Sequence, residues 1–133
     1  MSLSKSLIAL SGEYFVAAEL CRRGIVASLT LKNYPGIDIF VYNPETRKHG
    51  TVQVKTTQVH RSSGYWMPDP AEIKALGTPF VFVHFHKEDA PEFFVVTASD
   101  LVNLVKPEGA KYWYVLIKDL ESYKGHWENL GIR

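Results

Sequence analysis

Apolar residues recur at helical spacing near the start of the chain, at Leu7, Leu10, Tyr14, Ala17, Ala18 and Cys21, and Gly24 stands where a helix would stop. This pattern predicts a helix over residues 3–23. Three β-rich runs follow, predicting strands over residues 25–31, 37–42 and 51–57. Residues 32–36 (Lys-Asn-Tyr-Pro-Gly) and 43–50 (Asn-Pro-Glu-Thr-Arg-Lys-His-Gly) separate them, and both carry turn chemistry. Residues 62–70 read as a loop and residues 71–76 as a short helical turn. Residues 79–86 are almost continuously apolar, as in a strand buried on both faces. A strand over 93–97 comes next. Ser99 and Asp100 offer an N-cap for a short helix through Val105. A last strand over 112–117 and a helix over 120–130 close the chain. The order α-β-β-β-(α)-β-β-α-β-α implies a mixed α+β fold of α/β type, with a central mixed sheet flanked by helices.

The chain has 133 residues, 46% of them hydrophobic and 13% aromatic, which suits a single domain over 1–133 with a true core and argues against disorder. No apolar run approaches the roughly 20 residues of a membrane span, and the first residues lack the pattern of a secretory signal. Cys21 is the one cysteine, which rules out an internal disulfide and a multi-cysteine zinc site. These features predict a cytoplasmic protein with no membrane partner. The formal charge of +1 hides an asymmetry: residues 1–66 hold eight Lys+Arg against four Asp+Glu, and residues 67–133 hold seven against ten. A basic first half suits an anionic partner such as nucleic acid, although chance alone can scatter charges this way.

Candidate chemistry begins at Asp38, flanked by Ile37, Ile39, Phe40 and Val41. A carboxylate inside an apolar strand has to reach solvent, find a partner or bind a metal, because burying it alone is very costly. In the run Thr51-Val52-Gln53-Val54-Lys55-Thr56-Thr57, alternation sets Gln53 and Lys55 on one face and Val52, Val54 and Thr56 on the other. Pairing Asp38 with Gln53 puts the hairpin midpoint between Glu45 and Thr46, inside the predicted turn. That register gathers Asp38, Gln53 and Lys55 on one face. Glu13 lies beside the packing stripe of the first helix, among Leu10, Val16, Ala17 and Leu20. Glu19, by contrast, precedes Arg22 and Arg23 as on a solvated ion-pair face. An inward Glu, a strand Asp and a Gln/Lys pair make a hard oxygen site with a cation beside it, suited to Mg²⁺. Each residue also has a plainer reading: Asp38 as a turn cap, Lys55 as a solvent-face lysine, Glu13 as a partner of Lys5 or Arg23.

Taken together, Gly12-Glu13, Gly36-Ile37-Asp38 and Gln53-Val54-Lys55 resemble the PD-(D/E)xK nuclease superfamily, particularly its Holliday-junction-resolvase-like and restriction-endonuclease-like branches. The resemblance spans roughly residues 3–86. It implies a restriction-endonuclease-like core and a Mg²⁺- or Mn²⁺-dependent endonuclease that hydrolyses DNA phosphodiesters, commonly as a homodimer. It further implies that Asp38 is the principal metal ligand, that Gln53 and Lys55 hold the (D/E)xK positions, that Glu13 is the first-helix acid, and that the Val54 backbone carbonyl can add a ligand. This chain departs from the pattern at Gln53, where the superfamily usually has an acid, and Pro35 does not directly precede Asp38. The alternative is a nuclease-fold module that no longer cleaves and binds nucleic acid or protein.

Polar, basic and aromatic residues near this motif are candidates for nucleic-acid contact: Arg47 and Lys48 in the turn, then Thr57, Gln58, His60, Arg61, Tyr65 and Trp66. His84 and His86 share a strand face but lack a third ligand and read as ordinary histidines. Tyr112, Trp113, Tyr114, Tyr123 and Trp127 suit a core or a subunit interface. Cys21 reads as a structural thiol on the apolar helix face.

Overall fold

The structure is a computed structural model that describes residues 4–31 and 36–132. Helix α1 spans Lys5–Arg22. The Ser4 side chain accepts from the Leu7 N–H to cap its start. It ends at Gly24, whose φ of 85° allows the Ile25 N–H to reach back to the Leu20 carbonyl at 2.9 Å. Three antiparallel strands follow, β1 (Val26–Leu29), β2 (Ile39–Tyr42) and β3 (His49–Thr57). Of the turn expected at residues 32–36, residues 32–35 lie outside the described residues, as does the expected helix start at residue 3. The β2–β3 turn is organised by Asn43, whose side-chain oxygen accepts from the Glu45 N–H at 3.0 Å while its amide donates to the Ile132 carbonyl.

Residues 62–70 do not form the expected loop, since they contain strand β4 (Gly64–Met67). Helix α2 (Pro70–Leu76) then crosses to strand β5 (Phe80–His84), which pairs in parallel with β3. Strand β6 (Glu92–Val96) completes a five-stranded mixed sheet in the order β1-β2-β3-β5-β6. Thr97, not Ser99 or Asp100, caps helix α3, which covers Ala98–Leu101 and stops short of Val105. A short strand β7 (Lys106–Glu108), absent from the sequence reading, joins β8 (Tyr112–Leu116) and β4 in a second sheet, β4-β8-β7. The expected closing helix is two 3₁₀ helices, Ile117–Tyr123 and Trp127–Leu130. Gly125 separates them at φ 70°, and its N–H donates to the Phe93 carbonyl.

Every residue of β5 is buried, as its apolar run requires. Val81 and Val83 face α1 through a core that holds Val16, Leu20, Ile39, Val41, Val52 and Val54. Phe80 and Phe82 face the second sheet through a core with Tyr65, Met67, Ile73, Phe94 and Val115. The packing face of α1 is Gly12, Val16 and Leu20, and not the stripe its bulky residues suggest. Leu7 and Tyr14 are more than half exposed, and Cys21 is exposed too, so it is not a core thiol. Glu19 meets Arg22 and Arg23 on the solvated face, at 2.8 and 3.4 Å.

At the far end of β5, His84 is fully buried, with Nε2 2.8 Å from the Val59 carbonyl and Nδ1 3.2 Å from Glu92 Oε1. Glu92 is also bonded by Arg61 and by Lys124 at 2.9 Å. Burial opposes its charge, but hydrogen bonds from Lys124 and His84 and the Arg61 and Lys124 charges prevail, holding its carboxyl at about 2. A carboxyl held below its unfolded value stabilises the fold above the ordinary carboxylate range, and that contribution fades as pH falls toward 2. Glu92→Gln should therefore cost about 2 kcal/mol at neutral pH and flatten the stability loss between pH 5 and pH 2 in urea unfolding. Equal acid sensitivity in both proteins would assign the acid transition elsewhere.

Candidate active site

Asp38 sits just before β2, at the end of the hairpin opposite its turn. The pairing Ile39↔Val52 keeps the register that the turn midpoint predicts, and Asp38 stands one residue beyond the paired strand. The Asp38 N–H donates to the Val52 carbonyl at 3.0 Å, and its own carbonyl accepts from the Thr30 N–H at 3.0 Å. Its carboxylate then takes the next free donor of β3, accepting from the Val54 N–H at 2.7 Å. Beyond this point β3 turns its backbone to β5, with the Gln53 N–H donating to the Pro79 carbonyl at 3.1 Å. A backbone donor that the hairpin leaves unused thus fixes the aim of the carboxylate.

Gln53 and Lys55 project from the face of β3 that lies opposite Val52 and Val54, beside their β5 partners Phe80 and Phe82. The Gln53 side-chain oxygen is buried with no hydrogen-bond partner. Burial lowers the Lys55 amine below the ordinary lysine value, against the opposing charges of Asp38 and Glu72. Helix α1 crosses β3 at Gly12, where a Cβ would stand 1.7 Å from Thr56 Oγ1. That close approach carries the next residue, half-buried Glu13, to the hairpin end. Burial, and then the Asp38 charge, raise the Glu13 carboxyl above its ordinary value.

Asp38 thus bonds the Val54 N–H and its charge acts on both Glu13 and Lys55, while Gln53 lies two residues before Lys55 on the same strand face. Among the described residues no three His, Cys, Asp or Glu side chains converge as a metal cage. The donor set is instead all oxygen: two carboxylates, an amide oxygen without a partner, and a strand carbonyl at Val54. Such a set fits Mg²⁺ or Mn²⁺, which take one or two carboxylates and complete their shell with water. A buried acceptor without a donor is costly unless something supplies positive charge, and Gln53 Oε1 meets that condition.

The residues expected to touch nucleic acid fare differently. Arg47 and Lys48 lie at the turn, the opposite end of the hairpin from Asp38. Arg61 is clasped by Glu92 and by Glu121, the latter at 2.8 Å, so its guanidinium is already committed to carboxylates. Tyr65 is not a surface contact, because it is buried and its hydroxyl donates to the Val83 carbonyl at 2.8 Å. Thr57 ends β3, its hydroxyl accepting from the Val59 N–H, and Gln58 is exposed beside it. His60 is exposed, with Nδ1 2.8 Å from Ser62 Oγ. Trp66 is exposed on the outer face of the second sheet, against Tyr112. Glu72, which the sequence reading did not single out, is exposed on α2, and its charge acts on Lys55 along with that of Asp38.

The Holliday junction resolvase Hjc of the archaeal hyperthermophile Archaeoglobus fulgidus, solved at 1.6 Å resolution, matches this structure with a TM-score of 0.51 at 15% sequence identity. The match covers 85% of this chain and 92% of that one. The fold is resolvase-like. No protein-family model matches the chain, and no curated protein matches it. In the resolvase-like fold the central mixed sheet is flanked by helices, and α1 packs on β1 and β3. No described helix is long and apolar enough to cross a membrane.

Proposed function

We propose that the chain is a divalent-metal-dependent DNA endonuclease of the PD-(D/E)xK superfamily. The observation that carries this reading is the buried, unpartnered Gln53 oxygen on the Lys55 face of β3, close in sequence to the Val54 N–H that the Asp38 carboxylate accepts from. Asp38, Glu13, Gln53 Oε1 and the Val54 carbonyl would hold Mg²⁺ or Mn²⁺. Bound there, such an ion supplies an acidified water and positive charge for the phosphate. The chain's own residues do the rest. The Val54 N–H fixes one Asp38 oxygen, so the carboxylate meets its ligand without reorganising. Burial and the Asp38 charge raise the Glu13 carboxyl, and a cation held by both acids would favour its charged form. Lys55, with its amine lowered by burial, can orient the attacking water or neutralise charge gathering on the phosphate oxygens. A branched DNA presents two scissile strands, so cutting both would use two copies of the chain.

Purified chain should cut branched, linear or single-stranded DNA in Mg²⁺ or Mn²⁺, and Lys55→Ala should slow cutting by roughly a hundredfold or more. Cutting that persists unchanged in both Lys55→Ala and Asp38→Ala would defeat the assignment. Gln53 in the usual acid position favours a second reading, a nuclease-fold module that binds without cleaving. Calorimetry separates the two: wild type that takes up no divalent ion, while Gln53→Glu does, supports the binding module.

A further inference from the structure

The second sheet turns one face to the core and the other to solvent. Tyr65, Met67 and Val115 pack inward, and strand alternation sets Trp66 of β4 and Tyr112, Tyr114 and Leu116 of β8 on the outer face. Trp66 is 65% exposed and Tyr112 63%, and their rings stand 5.9 Å apart at 59°. Tyr114 lies directly across from Trp66 in the register. Beside them opens a cavity of about 330 Å³, lined by Gly64, Trp66, Tyr114, Leu116 and Glu108 of β7. No side chain fits at Gly64, where a Cβ would stand 2.0 Å from the Val115 carbonyl oxygen. The Glu108 carboxylate makes no hydrogen bond or ion pair among the described residues. No lysine or arginine lines the cavity, and Lys106, across from Tyr114, is held by Asp119 at 3.3 Å.

We propose that this pocket binds the guanidinium of an arginine carried on an exposed segment of a partner protein. The free carboxylate calls for a cation, and the rings offer their negative faces to one. The groove is open on the side where Trp66 meets solvent, which favours a flat group over a round one that needs enclosing. A guanidinium is planar, stacks on an indole and donates two parallel hydrogen bonds to a carboxylate, whereas a lysine ammonium is a hydrated point charge. A splayed nucleobase would also stack on Trp66, but it brings phosphates, and the cavity offers them an acid and no cation. Because the groove holds only the head group, the stem and its backbone stay outside, as on a peptide. The pocket shares no residue with the Asp38 site and stands or falls independently of the endonuclease reading.

The test follows the Trp66 indole N–H and the Tyr114 amide of the ¹⁵N-labelled full chain during titration with acetyl-Gly-Gly-Arg-Gly-Gly-amide at low ionic strength. Both peaks should shift saturably, with a Kd of about 1 mM. The same peptide carrying citrulline, the neutral isostere of arginine, should bind about tenfold more weakly, as should the arginine peptide to Glu108→Gln. Trp66→Leu, read at Tyr114, should weaken binding about threefold to fivefold. Both substituted side chains are exposed, so melting should match wild type. Equal shifts with arginine and citrulline, or unchanged binding in Glu108→Gln, would remove the charge complementarity and defeat the proposal. Peaks that stay still up to about 10 mM peptide would defeat it as well. Shifts produced by a thymidine tetranucleotide and not by the arginine peptide would make the pocket a base-stacking platform instead. Shifts that follow dilution of the protein alone would assign the face to a second copy of the chain and overturn the proposal.

Discussion

Replacing Asp38 by Asn should lower metal-dependent cleavage by about a thousandfold, roughly 4 kcal/mol of transition-state stabilisation, and abolish Mn²⁺ uptake while leaving the fold intact. The side-chain oxygen of Asn can still accept from the Val54 N–H, so the 2.7 Å bond that fixes this residue survives without its charge. Asp38→Ala makes the contrast. It removes charge and acceptor together and strands the Val54 N–H, at a cost of about 1–3 kcal/mol. Single-turnover cleavage, calorimetry and urea unfolding on both variants separate the electrostatic role from the structural one. Asp38→Asn with near-normal ion uptake would place the cation elsewhere.

Gly12→Ala should be the most damaging substitution outside the charged set. The new methyl would stand 1.7 Å from Thr56 Oγ1 and 2.7 Å from its Cβ. Thr56 is β-branched and sits in the middle of the sheet, so it has little freedom to rotate away. Helix α1 must lift off β3 instead. Overpacking of this kind costs about 1–3 kcal/mol, partly offset by the roughly 1 kcal/mol that alanine gains over glycine within a helix. The larger loss falls on the site, since lifting α1 withdraws Glu13 from Asp38. Activity should drop more than the stability change explains. Adding Thr56→Ala should recover part of both, as read by thermal melting and Mn²⁺ titration. An unchanged melting temperature in Gly12→Ala would mean the interface yields easily.

The same glycine explains why the first helix was half legible. Counting bulky apolar residues selects Leu7, Tyr14 and Cys21, which the structure exposes, because the true contact line runs through Gly12, Val16 and Leu20. A glycine at a close crossing is invisible to a search for large side chains. The hairpin was legible because its evidence is local: a polar turn, an alternating strand, and a carboxylate that gains a place only in one register. Strand β4 was not legible. Its inward pair, Tyr65 and Met67, is embedded among Ser, Gly and Pro, and its partner β8 lies about fifty residues away. The last helix was read through Gly125, whose positive φ breaks it. Arg61 and Tyr65 had suitable chemistry for DNA, but Glu92, Glu121 and the Val83 carbonyl already occupy them.

The bond between the Asp38 carboxylate and the Val54 N–H has a spectroscopic consequence. An amide proton held by a charged side chain, rather than by a backbone carbonyl, feels every change in that side chain's electron density. In a ¹H–¹⁵N correlation spectrum the Val54 cross-peak becomes a built-in gauge of what sits on the carboxylate, readable without nucleic acid or turnover.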